Sequence, residues 1–432
     1  MAVKNKDLSI TKTLLLGLQH MFAMFGATIL VPLLSGLSVQ VTLIGIGGGT
    51  LIFHWITRGR VPAFLGSSFA FLVGIQLITD PEAGLFAGTD MAQSEKLAYA
   101  TGAIMISGLL YLVFTLIIKV IGVKRFMEIV PPVVTAPTVI LIGIMLAPFA
   151  ISQSSNNILL AVLTLGIVIV ASSWGKGMVK IMPILLGIAG AYIIAVIMQF
   201  AGMSNPDGSA IIDFSMAANA DMVGLPPFMW PRFDLVAILI MIPFALATIA
   251  EHVGDIVALG TITGEDFVED PGLGRTLVGD GIATMFSGFI GGPASTTYGE
   301  NVGVVALTKV FSPRVVQVAA VYATLLGFSP VIAAIIYSVP AAIIGGASFM
   351  LYGMIAAVGI RNLVETKVDV GQTKNLIIIA VILVTGLGLR FGPRITFEVG
   401  NVNLPIDRLG IAIAVILGVL LNAILPDEEK QG

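Results

Sequence analysis

Apolar residues run along this chain in long blocks separated by short polar breaks. A helix needs about 20 mainly apolar residues to cross the hydrocarbon core of a bilayer. Blocks of that order fall at 14–34, 39–57, 62–79, 97–119, 127–149, 157–173, 180–201, 234–259, 276–291, 296–310, 314–330, 340–362, 374–390 and 408–425, which predicts about fourteen membrane spans. The blocks at 62–79, 276–291 and 296–310 are short and rich in Gly, Ser, Thr or Pro. The first block follows Lys4, Lys6 and Lys12 but runs 21 residues from Leu14 to Leu34, longer than the apolar region of a signal peptide, and no clear cleavage site follows it. It is expected to be a retained span.

Composition strengthens the membrane reading. Charged residues make up 11% of the 432 and apolar residues 57%, where a soluble protein carries about 25% charged residues. Mean hydropathy is +1.02. By length alone the chain would suggest about three soluble domains, and the hydropathy overrides that prior. Forty-nine glycines suit helices that pack closely in lipid. The net charge of −3 offers no basic patch for nucleic acid. The lack of cysteine excludes disulfides, thiol catalysis and Cys-ligated metals. No cofactor or metal is called for.

Charge also orients the chain. With the N-terminus in the cytoplasm, only Lys96, Arg232, Arg390, Arg394 and Arg408 of the 22 Lys and Arg residues fall outside. Cytoplasmic segments of membrane proteins carry an excess of Lys and Arg, so the expected location is the cytoplasmic (inner or plasma) membrane with both termini inside. An outer connection at 202–233 leaves seven blocks on each side, and an odd number makes the halves opposite in orientation, as in inverted-repeat transporters. The third block of each half opens on poor helix formers: Pro62-Ala-Phe-Leu-Gly-Ser-Ser-Phe-Ala70 in one, Gly292-Pro-Ala-Ser-Thr-Thr-Tyr-Gly299 in the other. Interrupted spans in matching positions point to a binding site between the halves, with free N–H groups of half-helices facing a ligand. Two re-entrant turns with a packing role are the plainer alternative.

Glu251, Asp255, Asp280 and Glu300 lie within or at the edges of spans, with no Lys or Arg in the middle of any span. A charge at the bilayer centre costs about 2.5–3.5 kcal/mol on insertion scales, and burial and like-charged neighbours favour a carboxyl group's neutral form. Glu251 and Asp255, four residues apart, share a helix face. Acids that gain and lose a proton are what proton coupling needs, so Glu251, Asp255, His252 and Asp280 are the coupling candidates. Capping of half-helices is the structural alternative, best suited to Asp280. His252, adjacent to Glu251, points about 100° away from it around the helix.

Glu300-Asn301-Val302-Gly303, followed by Thr308-Lys309, resembles the signature of the nucleobase–ascorbate transporter family. Gln19-His20, Gly66-Ser-Ser-Phe-Ala70, Glu251-His252-Val-Gly254, Thr296-Thr-Tyr-Gly299 and Leu351-Tyr352-Gly353 are similar to the corresponding stretches of its bacterial uracil permeases. The resemblance implies an all-α fold of fourteen spans with short antiparallel strands in the third and tenth. A core domain would comprise 1–124 and 230–338, and a gate domain 125–229 and 339–432. It also implies that Glu251 and Glu300 bind the base, that the backbone at Phe69 and Gly299 helps hold it, and that Ala27, Ser68 and Tyr298 line the site with Tyr352 on the gate side. The implied partners are a nucleobase and a proton, surrounding lipid and a second copy in a homodimer. Two N–H donors and two carbonyl acceptors on uracil suit carboxylates and backbone N–H groups. Asp255 and Asp280 depart toward purine carriers, so xanthine is the alternative substrate. An intramembrane carboxylate enzyme is the remote alternative, and the chain lacks both a Gly-x-Gly-Asp and a His-Glu-x-x-His motif.

Overall fold

The computed structural model describes residues 8–122, 125, 131–399 and 402–426. Lys4, Lys6, Lys124 and Lys430, used in orienting the chain, and the first residues of the block at 127–149 lie outside them. The first half comprises Ile10–Ser35 (α1), Val39–Ile56 (α2), Leu65–Ser67 (β1), Ala70–Thr79 (α3), Gln93–Ile121 (α4), Pro132–Met145 (α5), Ala147–Ser154 (α6), Ile158–Trp174 (α7), Met178–Ile181 (α8) and Pro183–Phe200 (α9). A single turn, Ser215–Ala218 (α10), lies in the central connection. The second half comprises Leu235–Thr263 (α11), Leu273–Phe289 (α12), Ser295–Thr297 (β2), Gly299–Thr308 (α13), Pro313–Leu326 (α14), Pro330–Tyr337 (α15), Ala341–Glu365 (α16), Thr373–Phe391 (α17), Thr396–Val399 (β3), Val402–Pro405 (β4) and Gly410–Ile424 (α18).

Eight helical stretches among the described residues are long and apolar enough to cross a bilayer, α5 and α6 counting as one, and α3, α7 and α18 are shorter apolar helices. The protein is a multi-pass membrane protein. Helix starts carry legible signals. The side chains of Ser9, Ser38, Asn157 and Asp234 accept from backbone N–H groups of the first turns of α1, α2, α7 and α11, satisfying donors that a helix leaves free. Proline opens α5, α9, α14 and α15, where its missing N–H costs nothing.

Two stretches differ from the sequence reading. The block at 314–330 ends as helix at Leu326, and α15 departs at 84° over residues read as a loop. Pro330 cannot donate to a continuing helix and disfavours helical backbone in the residue before it. The connection before α18 folds into a hairpin in which Thr396 pairs with Pro405 and Phe397 with Leu404. In the central loop, the Ser209 hydroxyl and N–H donate to the Asp207 carboxylate at 2.6 and 2.9 Å and hold it below the usual carboxylate range.

The interior is organised around a buried strand pair. β1 and β2 are antiparallel, with Leu65 opposite Thr297, Gly66 opposite Thr296 and Ser67 opposite Ser295. Each strand is held by a threonine of the preceding long helix. Thr50 of α2 accepts from the Leu65 N–H at 3.0 Å and donates to the Leu65 carbonyl at 3.3 Å. Thr284 of α12 accepts from the Ser295 N–H at 3.2 Å and donates to the Ser295 carbonyl at 3.0 Å. Two-residue clamps of this kind satisfy backbone groups that a three-residue strand leaves free. Around the pair, α4 and α12 approach so closely that a Cβ on Gly281 would lie 2.6 Å from Tyr111 Cβ, the contact that small residues permit.

Candidate functional site

β1 leads into α3 and β2 into α13, and the first turns of both short helices reach one cavity of about 470 Å³. Phe69 and Ala70 enter its wall from α3, Tyr298 and Gly299 from the start of α13, and Glu251, Gly254 and Asp255 from α11. Thr135, Val139 and Ile142 of α5 and Ile355, Val358 and Gly359 of α16 form the facing wall. The cavity therefore lies between two sets of helices drawn from both halves. Glu251 is exposed, but to this internal space. Glu251 and Asp255 fall on one wall because four residues make about one helical turn.

The predicted site residues divide into three groups. Glu251, Asp255, Phe69, Tyr298 and Gly299 line the cavity. Glu300, half-buried in the first turn of α13, lies behind that lining and within electrostatic reach of Glu251. Ala27, Ser68 and Tyr352 are buried outside the lining. Ala27 belongs to the apolar cluster that holds the Tyr298 ring, and Tyr352 sits within α16 in the cluster behind the facing wall. His252 and Asp280 form the third group and stand away from the cavity. His252 Nδ1 lies 2.9 Å from Asp280 Oδ2, with both side chains fully buried. The two side chains are in close polar contact, and His252 Nε2 meets the Thr276 hydroxyl at 3.0 Å. Residue 252 faces away from residue 251 because successive residues turn by about 100° around a helix.

The loop-like starts of α3 and α13 are braced from α1. Tyr298 Oη donates to the Ser67 carbonyl at 3.0 Å, and Ser67 Oγ donates to the Thr28 carbonyl at 3.0 Å. Asn301 Nδ2 donates to the Pro62 carbonyl at 2.9 Å, and His20 Nδ1 lies 3.3 Å from Asn301 Oδ1. Glu300 thus sits between two anchored neighbours.

Sequence reasoning missed the charged mouth. Arg361, Asn362 and Glu365 also line the cavity, and Arg361 is the cation that Asp255 senses. Arg361 Nε lies 3.8 Å from Glu365 Oε1. In the sequence Arg361 stands at the end of the block at 340–362, among the Lys and Arg residues placed on the inner side. Its spacing from Val358 and Glu365 was the available signal, since residues three and four apart share a face. The acids of the site are therefore not remote from every cation.

The profile of a family described as "Permease family" matches residues 11–395. The chain belongs to that permease family. Among curated relatives, "Uracil permease" of Bacillus caldolyticus is 39% identical over 434 residues, covering 96% of this chain and 92% of that one. "Uracil permease" of Bacillus subtilis gives 39% with the same coverage. "Putative pyrimidine permease RutG" of Escherichia coli is 40% identical over 98% of this chain and 91% of its own. Among solved structures, the transmembrane domain of the cyanobacterial bicarbonate transporter BicA superposes with TM-score 0.63 at 16% identity, covering 98% of this chain and 99% of that one. Murine Slc26a9, an anion transporter in the inward-facing state, gives 0.63 at 12% identity over 97% of this permease and 69% of its own chain. At such identities the likeness concerns the fold alone.

Proposed function

We propose that this permease takes up uracil across the cytoplasmic membrane by alternating access, together with a proton. The observation that carries the reading is the meeting of Glu251, Asp255, Phe69, Tyr298 and Gly299 at one internal cavity, in a chain 39–40% identical to permeases named for uracil and pyrimidine. The protein is a transporter, not an enzyme. Fourteen spans in two inverted repeats, with both termini inside, complete the proposal. The matching Thr50 and Thr284 clamps, one in each half, support the repeat. Residues 1–124 and 230–338 would form the core, and 125–229 and 339–432 the gate.

The chemistry follows from the lining. A carboxylate accepts, so Glu251 takes a ring N–H of the base. Backbone N–H groups donate, so Phe69 and Gly299 serve the ring carbonyls. The aromatic rings of Phe69 and Tyr298 offer flat faces to a flat ligand. Ser68 and Ala27 shape the site from behind, Glu300 joins it as a second acceptor, and Tyr352 contacts it from the gate when the wall formed by α5 and α16 moves inward. Protonation within the Glu251–Asp255 pair relieves the repulsion between the two acids and makes movement of the loaded core less costly in lipid. His252 and Asp280 act at one remove, by fixing α11 against α12. Each 100 mV of membrane potential adds about 2.3 kcal/mol per charge moved.

Xanthine is the second reading, favoured by the acid at Asp255 in the cavity wall. Uptake of labelled uracil and xanthine into proteoliposomes, under imposed pH or sodium gradients, separates the two. Uracil accumulation driven by an acidic exterior and unaffected by sodium is expected. Accumulation of xanthine in preference to uracil, or dependence on sodium alone, would overturn the substrate or the coupling ion respectively.

A further inference from the structure

A second groove, of about 550 Å³, lies where the ends of α2 and α4 meet the start of α12. Transport as described above makes no use of it. Ile56, Ile118, Leu273 and Val278 supply an apolar wall, and Lys119 and Arg275 supply positive charge. No acidic residue is among those lining it. Neither cation forms an ion pair among the described residues.

Packing explains why the groove exists. α4 and α12 remain in contact as far as Gly274, where a Cβ would come within 3.2 Å of Thr115 Cγ2. Beyond that point Pro271 and Gly272 lead the chain away from α12, and the space between the helix ends opens. The positive end of the α12 dipole lies there, and the Leu273 N–H is bonded to the Val268 carbonyl of the turn that precedes the helix. Beside Lys119 on α4, Leu116 is 63% exposed and Val120 84%. Apolar side chains so exposed on a membrane helix are covered by lipid tails. The groove thus joins a lipid-facing apolar surface to two cations that form no ion pair among the described residues, at the ends of membrane helices.

We propose that the groove holds one anionic phospholipid. Its phosphate lies between Lys119 and Arg275 over the start of α12, and an acyl chain follows Ile56, Ile118 and Val278. Basic pockets between helices at the membrane surface suit anionic headgroups, and the apolar wall favours an intact lipid over a free phosphate ion.

The test uses the full-length protein, purified in detergent and titrated with phosphatidylglycerol, phosphatidylcholine or inorganic phosphate, with retained lipid read by native mass spectrometry. Phosphatidylglycerol should be retained in preference to phosphatidylcholine. The double variant Lys119→Gln/Arg275→Gln should bind it about thirtyfold more weakly, as expected for two basic contacts near a membrane surface. Lys176→Gln/Lys180→Gln, an equal loss of charge elsewhere, should leave retention unchanged. On the unaltered protein, raising the salt concentration should release phosphatidylglycerol, since screening weakens exposed charge pairs. Equal retention of the two lipids would overturn the proposal, as would undiminished binding in the first variant or an equal loss in the second. Displacement of the lipid by inorganic phosphate as readily as by phosphatidylglycerol would also overturn it, as would retention indifferent to salt.

Discussion

Gly66 has no room for a side chain, because a Cβ there would fall against the ring of Tyr298. The ring is held in place by its own hydroxyl, which donates to the Ser67 carbonyl at 3.0 Å. Tyr298 belongs to the cavity wall and Gly66 lies against its ring, and the two make separable predictions. Gly66→Val should push the ring into the cavity, with an overpacking cost of about 1–3 kcal/mol, and uracil uptake should fall about tenfold or more at unchanged expression. Tyr298→Phe keeps the ring and loses one hydrogen bond, worth about 0.5–1.5 kcal/mol. It should lower the thermal midpoint in detergent while retaining most of the uptake. Uptake of Gly66→Val at the wild-type rate would mean that Tyr298 does not bound the site.

Thr50 and Thr284 play the same part in opposite halves. Each brackets the first residue of a strand with one accepted and one donated hydrogen bond. Thr50→Val or Thr284→Val would leave a buried N–H without a partner, at about 1–3 kcal/mol each, and thermal unfolding should show similar losses for both. Thr→Ser at either position keeps the hydroxyl and should recover most of the loss. A large effect at one position and none at the other would break the equivalence of the halves. Neither clamp was legible in the sequence, since each joins residues 11 or 15 apart through a tertiary contact and a threonine inside an apolar block carries no distinguishing mark. The long spans were legible because twenty apolar residues in a row have few other uses. The acids at Glu251 and Asp255 stood out because such a block tolerates them poorly. Arg361 and Glu365 did not stand out, because they fall at and just past the end of the block at 340–362, where charges commonly mark the end of a span. The departure of α15 was hidden because Val331 to Tyr337 lies between two apolar blocks and is too short to count as a span.

At the scale of the molecule, sidedness can be read directly because the chain has no cysteine of its own. Lys176 and Asp207 are both exposed in connections between helices and are assigned to opposite faces of the membrane. Asp207→Cys should react with an impermeant maleimide in intact cells, and Lys176→Cys only after permeabilisation. The reverse pattern would invert the topology. Under the proposed topology the side of the cavity at Arg361 and Glu365 faces inward, and the base would leave past them. All of this depends on a carboxylate of α11 holding the base inside that cavity. Equilibrium binding of labelled uracil to purified wild type and Glu251→Gln tests the claim most directly. The substitution preserves shape and removes a charged acceptor, whose hydrogen bond is worth about 1.5–3 kcal/mol, so affinity should fall roughly tenfold to a hundredfold while the unfolding midpoint is maintained. Uracil bound by Glu251→Gln as tightly as by the wild type would contradict it.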